Sequence, residues 1–188
     1  MAKIGLATTW LDGCSGCHMS FLDIDEQLID LAGKVDLLFS PLVDRKTFPE
    51  HADVTLVEGA VSNENDVKHI LTIRERSRIL VSFGDCAITA NVPAMRNRFG
   101  VNEVLRRGYV ETADFFQPDQ EEIPAKNDEV SFSGIPRLFR MARPIHEFVP
   151  VDIVLPGCPP PPAAILYLVS ELLAGRIPDM RNRTRFGA

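Results

Sequence analysis

The residues in this sequence whose types and spacing could do chemistry are its four cysteines. One close Cys-x-x-Cys pair is followed by two single cysteines, each about 70 residues further along the chain: Cys14, Cys17, Cys86 and Cys158. Four thiolates that meet at one point can bind a tetrahedral zinc ion or a 4Fe-4S cluster. Structural zinc sites usually draw on two close pairs, so this spacing favours the larger cluster. Zinc, a thioredoxin-like dithiol and buried inert cysteines are the alternatives.

The segments that precede the cysteines predict buried β-strands. Five short apolar runs rich in β-branched residues have this character: residues 3–10, 35–40, 54–57, 78–83 and 151–155. Amphipathic segments alternate with these runs and predict helices. Strands that are apolar throughout indicate a parallel sheet that is covered on both faces. We therefore predict an α/β fold with a flavodoxin-like, doubly wound parallel sheet of about five strands.

This topology predicts that the four cysteines meet. Cys14 and Cys17 follow the first predicted strand, Cys86 follows the fourth and Cys158 follows the last. The carboxyl ends of parallel strands lie at one edge of a sheet, where functional sites form. A glycine stands within two residues of every cysteine and would let the backbone approach a bulky anionic group. These glycines are Gly13, Gly16, Gly84 and Gly157.

Local signals mark three helix boundaries. A helix that begins near Ser20 is expected to end at Gly33 in a left-handed cap. Ser62 or Asn63 is expected to cap the start of a later helix, because short polar side chains accept the free N–H groups there. Gly175 is expected to close the helix that follows Cys158.

The chain is expected to form a single domain over residues 1–175, followed by a basic tail over residues 176–188 with four arginines and one aspartate. A segment from about 108 to 150 lacks a clean period and predicts an irregular insertion before the last strand. Between residues 111 and 129 it holds seven acidic residues and one lysine. Such a run indicates either a solvated surface loop or a contact with a partner protein.

Charge and hydropathy exclude two classes of partner. A net charge of −6 and a pI near 5.2 argue against a protein that binds the nucleic-acid backbone. No apolar run approaches the roughly 18 residues that a membrane-spanning helix needs. The N-terminal residues show neither an apolar signal region nor a twin-arginine pair. We therefore expect a cytoplasmic protein without a transmembrane segment.

Four motifs, in this order along the chain, resemble those of a known family: residues 10–18 (WLDGCSGCH), 57–59 (VEG), 84–87 (GDCA) and 155–160 (LPGCPP). They resemble the small subunits of nickel-iron hydrogenases, in the short form found in cytoplasmic NAD(P)-linked enzymes. Longer members have a second cysteine-rich domain for further clusters, so the resemblance implies one 4Fe-4S cluster here. It assigns the ligands as Cys14, Cys17, Cys86 and Cys158.

The resemblance also implies partners. Hydrogen would be oxidised at the nickel-iron centre of the large subunit, and electrons would pass through this cluster to a diaphorase module that holds iron-sulfur clusters, flavin and NAD. The chain itself has no GxGxxG fingerprint for a dinucleotide. For Glu58 the resemblance implies a contact with the large subunit or a place on a proton route, with a helix cap or salt bridge as the alternative. For His18 it implies a contact with a sulfur or the partner, with a solvated histidine as the alternative.

Two other identities stay open. The homologous subunit of NADH:quinone oxidoreductase shares the Gly-Cys-Pro ending but uses an adjacent Cys-Cys pair, whereas Cys14 and Cys17 are separated. A flavodoxin-like sheet also raises an FMN site on this chain. The loop after the first strand, which would hold the FMN phosphate, contains these same two cysteines.

Overall fold

A computed structural model describes residues 3–112 and 134–187. It contains seven strands in the described residues: β1 Ile4–Trp10, β2 Val35–Phe39, β3 Ala52–Glu58, β4 Val61–Asn63, β5 Ser77–Phe83, β6 Leu138–Arg143 and β7 Ile153–Leu155. Five of them form one sheet in the order β2-β1-β3-β5-β7, and all of its pairings are parallel. Counted within the sheet, this is the 2-1-3-4-5 order of flavodoxin-like folds. The predicted fold class is therefore confirmed.

Helices cover both faces of the sheet. The α-helices are α1 Gly16–Leu22, α2 Gln27–Lys34, α3 Glu64–Arg76, α4 Asp85–Thr89, α5 Asn91–Ala94, α6 Val101–Arg106 and α7 Pro162–Leu173. On one face α1, α2 and α7 pack against a core that includes Leu56 and Phe83. On the other face α3 packs against a core that includes Val57 and Leu80. Neighbouring residues of one strand thus enter opposite cores, as the two-residue period of a strand requires.

The region after Cys17 differs from the prediction. One helix from Ser20 to Gly33 was the expectation, but α1 ends at Leu22 and α2 begins at Gln27. Asp25 lies between them with φ 56°, a left-handed conformation that a continuous helix does not permit. Gly33 lies inside α2, which passes directly into β2, so the predicted left-handed cap at Gly33 is wrong. The apolar period continues through the break and does not reveal it.

The other two predicted helix boundaries are confirmed. Asn63 caps α3, because its side chain accepts hydrogen bonds from the backbone N–H groups of Asn65 and Asp66. The Asp66 side chain accepts one from the backbone N–H of Asn63 in return, which completes a capping box. Gly175 follows α7 with φ 71°, the conformation in which glycine commonly ends a helix.

The predicted insertion before β7 contains a small ordered element. Strand β6 pairs antiparallel with β4, at the carboxyl end of β3. The acidic run predicted to face solvent or a partner lies almost wholly at residues 113–133, outside the described residues. Within residues 3–112 and 134–187, no helix has the length and apolar character needed to cross a membrane.

Candidate metal centre

The four cysteines line one cavity at the carboxyl edge of the sheet. Cys14 lies in the loop after β1, Cys17 in α1, Cys86 in α4 after β5, and Cys158 in the loop after β7. Glu58 and Asp85 also line this cavity, which has a volume of about 70 Å³. All four cysteines are free thiols. The structure therefore brings together every cysteine that the sequence placed after a strand.

The size of the cavity restricts what it can hold. A single water needs roughly 10–15 Å³ by a comparable measure, so about 70 Å³ accommodates a group of several atoms. It is far below the roughly 300–1,000 Å³ of pockets that hold organic ligands. The cavity volume thus suits an inorganic group of several atoms better than FMN.

Two glycines beside the cysteines have conformations and surroundings that exclude side chains. A Cβ atom at Gly84, which has φ +84°, would lie 2.2 Å from the Cys17 sulfur. At Gly157, which has φ +139°, it would lie 2.4 Å from the Cα atom of Pro160. A side chain at Gly84 would therefore require the Cys17 sulfur to move, and one at Gly157 would require the backbone of Pro160 to move.

The electrostatic environment disfavours free thiolates. Burial raises the pKa of the Cys17 thiol far above its ordinary value, and the charges of Glu58 and the other three cysteines raise it further. Burial also raises the pKa of Cys86, although a hydrogen bond from the Val92 backbone N–H acts in the opposite direction. Reactive dithiols have lowered pKa values, so these shifts argue against a thioredoxin-like role. The positive charge of a bound metal would stabilise the negative charge of the thiolates.

Glu58 connects the end of β3 to the helix that contains Cys17. Its carboxylate accepts hydrogen bonds from the backbone N–H groups of Cys17, at 3.3 Å, and His18, at 3.1 Å. The same carboxylate lies 2.5 Å from Nδ1 of His18. Glu58 and His18 are each only 1% exposed. Glu58 therefore caps the start of α1 and forms a salt bridge with His18, the two roles that were the alternative to a contact with the large subunit or a proton route.

His18 is not a solvated residue, so that alternative is wrong. Its ring lies 5.2 Å from the Trp10 ring and 5.9 Å from the Phe83 ring, measured between centroids. Because Nδ1 faces Glu58, only Nε2 is free to meet another group. Nε2 is buried and has no hydrogen-bond partner among the described residues.

Asp85 belongs to the GDCA motif, but the sequence alone assigned it no role. Its backbone N–H donates to the Gly157 carbonyl at 2.9 Å, and its carboxylate accepts from the Gly157 N–H at 2.7 Å. The carboxylate also accepts from the backbone N–H of Gly187 at 2.7 Å. Asp85 thus joins the Cys86 loop, the Cys158 loop and the C-terminal tail. An acidic residue between a strand end and a cysteine was the available signal.

A second missed residue contacts a cysteine directly. Nδ2 of Asn91 lies 3.4 Å from the sulfur of Cys158, within hydrogen-bonding distance of this large acceptor atom. The two residues are 67 positions apart, so no local pattern could have connected them.

Comparisons with known proteins agree with this architecture. The family model described as "NADH ubiquinone oxidoreductase, 20 Kd subunit" matches residues 14–172. The chain is 41% identical to the delta subunit of the NAD-reducing hydrogenase HoxS of Cupriavidus necator, over 96% of this chain and 85% of that one. It is 36% identical to a subunit of the F420-non-reducing hydrogenase vhu of Methanocaldococcus jannaschii, but spans only 59% of that relative.

A solved structure is similar over the whole length. The crystal structure of an NAD+-reducing NiFe-hydrogenase in the H2-reduced state contains a chain with a TM-score of 0.84 and 39% sequence identity. The match covers 98% of this chain and 99% of that one. A NiFeSe-hydrogenase from Dm. baculatum, at 16% identity and a TM-score of 0.60, shares the fold. The chain therefore belongs to the family of small subunits of NAD-reducing NiFe hydrogenases, within the wider family of the NADH ubiquinone oxidoreductase 20 Kd subunit.

Proposed function

We propose that this chain is the electron-transfer small subunit of an NAD-reducing nickel-iron hydrogenase and that it holds one 4Fe-4S cluster. The observation that carries the proposal is one cavity lined by four thiols, which come from the segments that follow β1, β5 and β7 at one edge of the sheet. Four cysteine thiolates are the usual ligand set of such a cluster. The proposed ligands are Cys14, Cys17, Cys86 and Cys158. When bound, a cluster of this kind accepts and donates one electron at a time.

The remaining residues of the cavity hold this ligand set in place. Glu58 fixes the first turn of α1 by accepting two of its backbone N–H groups, and so positions Cys17. Asp85 joins the loops of Cys86 and Cys158 by its two hydrogen bonds to Gly157. Ligands held by such neighbours lose little freedom on binding, and their hydrogen bonds tune the metal group.

Exposed apolar side chains near the cysteines support a covered position for the cluster. Trp10 is 38% exposed, Met19 55%, Val92 46% and Met95 67%. They belong to β1, to α1 and to the segment after α4, which lie next to Cys14, Cys17 and Cys86 along the chain. An apolar surface of this kind is typical of a protein interface. We propose that the large subunit, which would hold the nickel-iron centre, covers it and delivers electrons over a short distance.

The onward acceptor is assigned to other subunits. Diaphorase subunits with iron-sulfur clusters, flavin and NAD would receive the electrons, because this chain has no dinucleotide fingerprint. The isolated chain is accordingly expected to bind neither nickel nor NADH. Saturable binding of NADH by this chain alone would contradict the proposed division of roles.

Serine substitution of each cysteine tests the cluster assignment. Each of the four variants, produced together with the partner subunits, is expected to lose bound iron and hydrogen-dependent NAD reduction. The reason is that an alcohol oxygen is a poor replacement for a thiolate on iron. Iron, sulfide and zinc per chain and the visible absorption spectrum are measured on anaerobically purified complex.

A matched control comes from the same loop. Ser15 has φ 62°, so Ser15→Gly keeps the backbone conformation and removes a side chain that is not a proposed ligand. This variant is expected to keep wild-type iron. Full iron and activity in two of the four cysteine variants would refute the ligand set. Stoichiometric zinc without iron-sulfur absorption in the wild type would refute the cluster itself.

A further inference from the structure

The junction between α4 and α5 has an unusual backbone. Ala90 ends α4 in the left-handed conformation, with φ 60° and ψ 3°, although it has a side chain. This conformation is unfavourable for a residue that has a Cβ atom. Such conformations persist where the surrounding structure imposes them, and they concentrate at functional sites. The residue that directly follows this turn is Asn91.

The turn directs a hydrogen-bond donor at a cysteine of a different loop. The side-chain amide of Asn91 lies 3.4 Å from the sulfur of Cys158, in the loop after β7. An asparagine amide carries two N–H donors, so one can serve Cys158 without any change of protonation. Asn91 therefore brings an N–H group to a proposed ligand that lies 67 positions further along the chain.

We propose that Asn91 raises the reduction potential of the cluster by donating a hydrogen bond to the sulfur of Cys158, an inference that rests on the proposed function. Reduction adds negative charge to the cluster and its ligand sulfurs. A donor aimed at a sulfur stabilises that charge more in the reduced state than in the oxidised state. Asn91 is thus a tuning residue of the electron relay and holds no iron itself.

The size of the effect follows from the strength of one hydrogen bond. A typical hydrogen bond contributes a net stabilisation that corresponds at most to about a tenfold change in an equilibrium constant. Removing the donor is therefore expected to disfavour one-electron reduction by up to about tenfold, which is about 59 mV for a one-electron couple. The shift is downward, toward more negative potentials.

Two variants separate the donor from the shape of the side chain. Asn91→Ala removes both, whereas Asn91→Leu keeps a branched side chain of similar size and removes only the N–H donor. Asn91 is exposed, so neither variant is expected to disturb the core. Asn65→Ala is the control, because Asn65 is an asparagine in the first turn of α3 that does not line the cavity.

The experiment is a potentiometric EPR titration of the purified hydrogenase complex. The signal of this cluster is identified as the one lost in Cys158→Ser. Both Asn91 variants are expected to keep wild-type iron, to titrate at lower potential, and to lose one exchangeable-proton coupling of the reduced cluster in ENDOR spectra. Asn65→Ala is expected to match the wild type in all three measurements.

Three other results would each refute one of these claims. Unchanged potential and unchanged proton coupling in both Asn91 variants would refute the role of Asn91 and leave the cluster assignment intact. A downward shift in Asn91→Ala that Asn91→Leu lacks would assign the effect to packing, and would refute donation. If the Cys158→Ser variant kept every EPR signal of the wild-type complex, the proposed function would be refuted, and the tuning role with it.

Discussion

Replacing Gly84 with alanine is expected to prevent the site from holding its metal group. Gly84 lies between β5 and α4, with φ 84° and ψ 163°. Its N–H donates to the Leu155 carbonyl at 2.8 Å, which fixes this loop against the end of β7. Gly84 is two residues before Cys86 and lies next to the Cys17 side chain. A single methyl group there tests how closely the loops must approach.

Two separate costs follow from the geometry. The observed combination of φ and ψ belongs to a region used essentially only by glycine, so alanine there costs about 1–3 kcal/mol. The new Cβ atom would also lie 2.2 Å from the Cys17 sulfur, whereas ordinary contacts are 3.4–4 Å. The sulfur must therefore move by about 1 Å or more. A free thiol can rotate away at little cost, but a sulfur that binds iron cannot.

The assay compares iron content with stability. In Gly84→Ala, iron per chain and visible absorption are expected to fall strongly, while the free energy of unfolding falls only by the backbone cost. The control is Gly33→Ala, because Gly33 lies inside α2 and a Cβ there would meet nothing within 4 Å. This variant is expected to keep full iron and to gain roughly 0.5–1 kcal/mol of stability.

Two results would contradict this expectation for Gly84. If Gly84→Ala retained wild-type iron and an unchanged spectrum, the Cys17 sulfur would not occupy the place that the structure gives it. If iron and stability fell together in both glycine variants, the loss would reflect general unfolding. Only selective loss of iron in Gly84→Ala agrees with the geometry.

Two further predictions concern one buried and one exposed carboxylate. Glu58→Ala is expected to lower the free energy of unfolding by about 3 kcal/mol or more, because it leaves His18 and two backbone N–H groups without their acceptor. Urea unfolding measures this loss. A loss equal to that of Glu58→Gln would contradict the prediction. Partial burial is the largest influence on Asp152 and acts to raise its pKa, but the Leu80 N–H and Arg74 together lower the pKa. Asp152 thus contributes its full stability well above its ordinary pKa of 3.8, and this contribution is lost as pH falls through that value and below it. The difference in the free energy of unfolding between wild type and Asp152→Asn is therefore expected to shrink between about pH 5 and about pH 3. A difference that stays constant over this range would count against the ion pair.

The sequence was sufficient to predict the sheet and the place of the site. Apolar runs alternating with amphipathic segments specify parallel strands covered on both faces, because each strand must bury both of its sides. Every cysteine follows such a strand, so the topology alone brings Cys14, Cys17, Cys86 and Cys158 to one edge. The caps at Asn63 and Gly175 were predictable too, because they depend only on residues within a few positions.

The helix after Cys17 shows where local pattern failed. The apolar spacing from Phe21 to Leu31 suits one continuous helix, but Asp25 adopts a left-handed conformation and divides it. Periodicity reports which residues face the core, and that face continues across the break. A turn between two helices that pack on the same sheet therefore leaves the pattern unchanged.

Only the tertiary structure decided the contacts that shape the site. Glu58 meets His18 across 40 positions, Asp85 meets Gly187 across 102, and Asn91 meets Cys158 across 67. Topology brings the loops to a common edge, but a hydrogen bond requires atoms to meet within a few tenths of an ångström. That agreement depends on the twist of the sheet, on the left-handed turn at Ala90 and on how the tail folds back. These are properties of the packed molecule, and no short segment of the sequence encodes them.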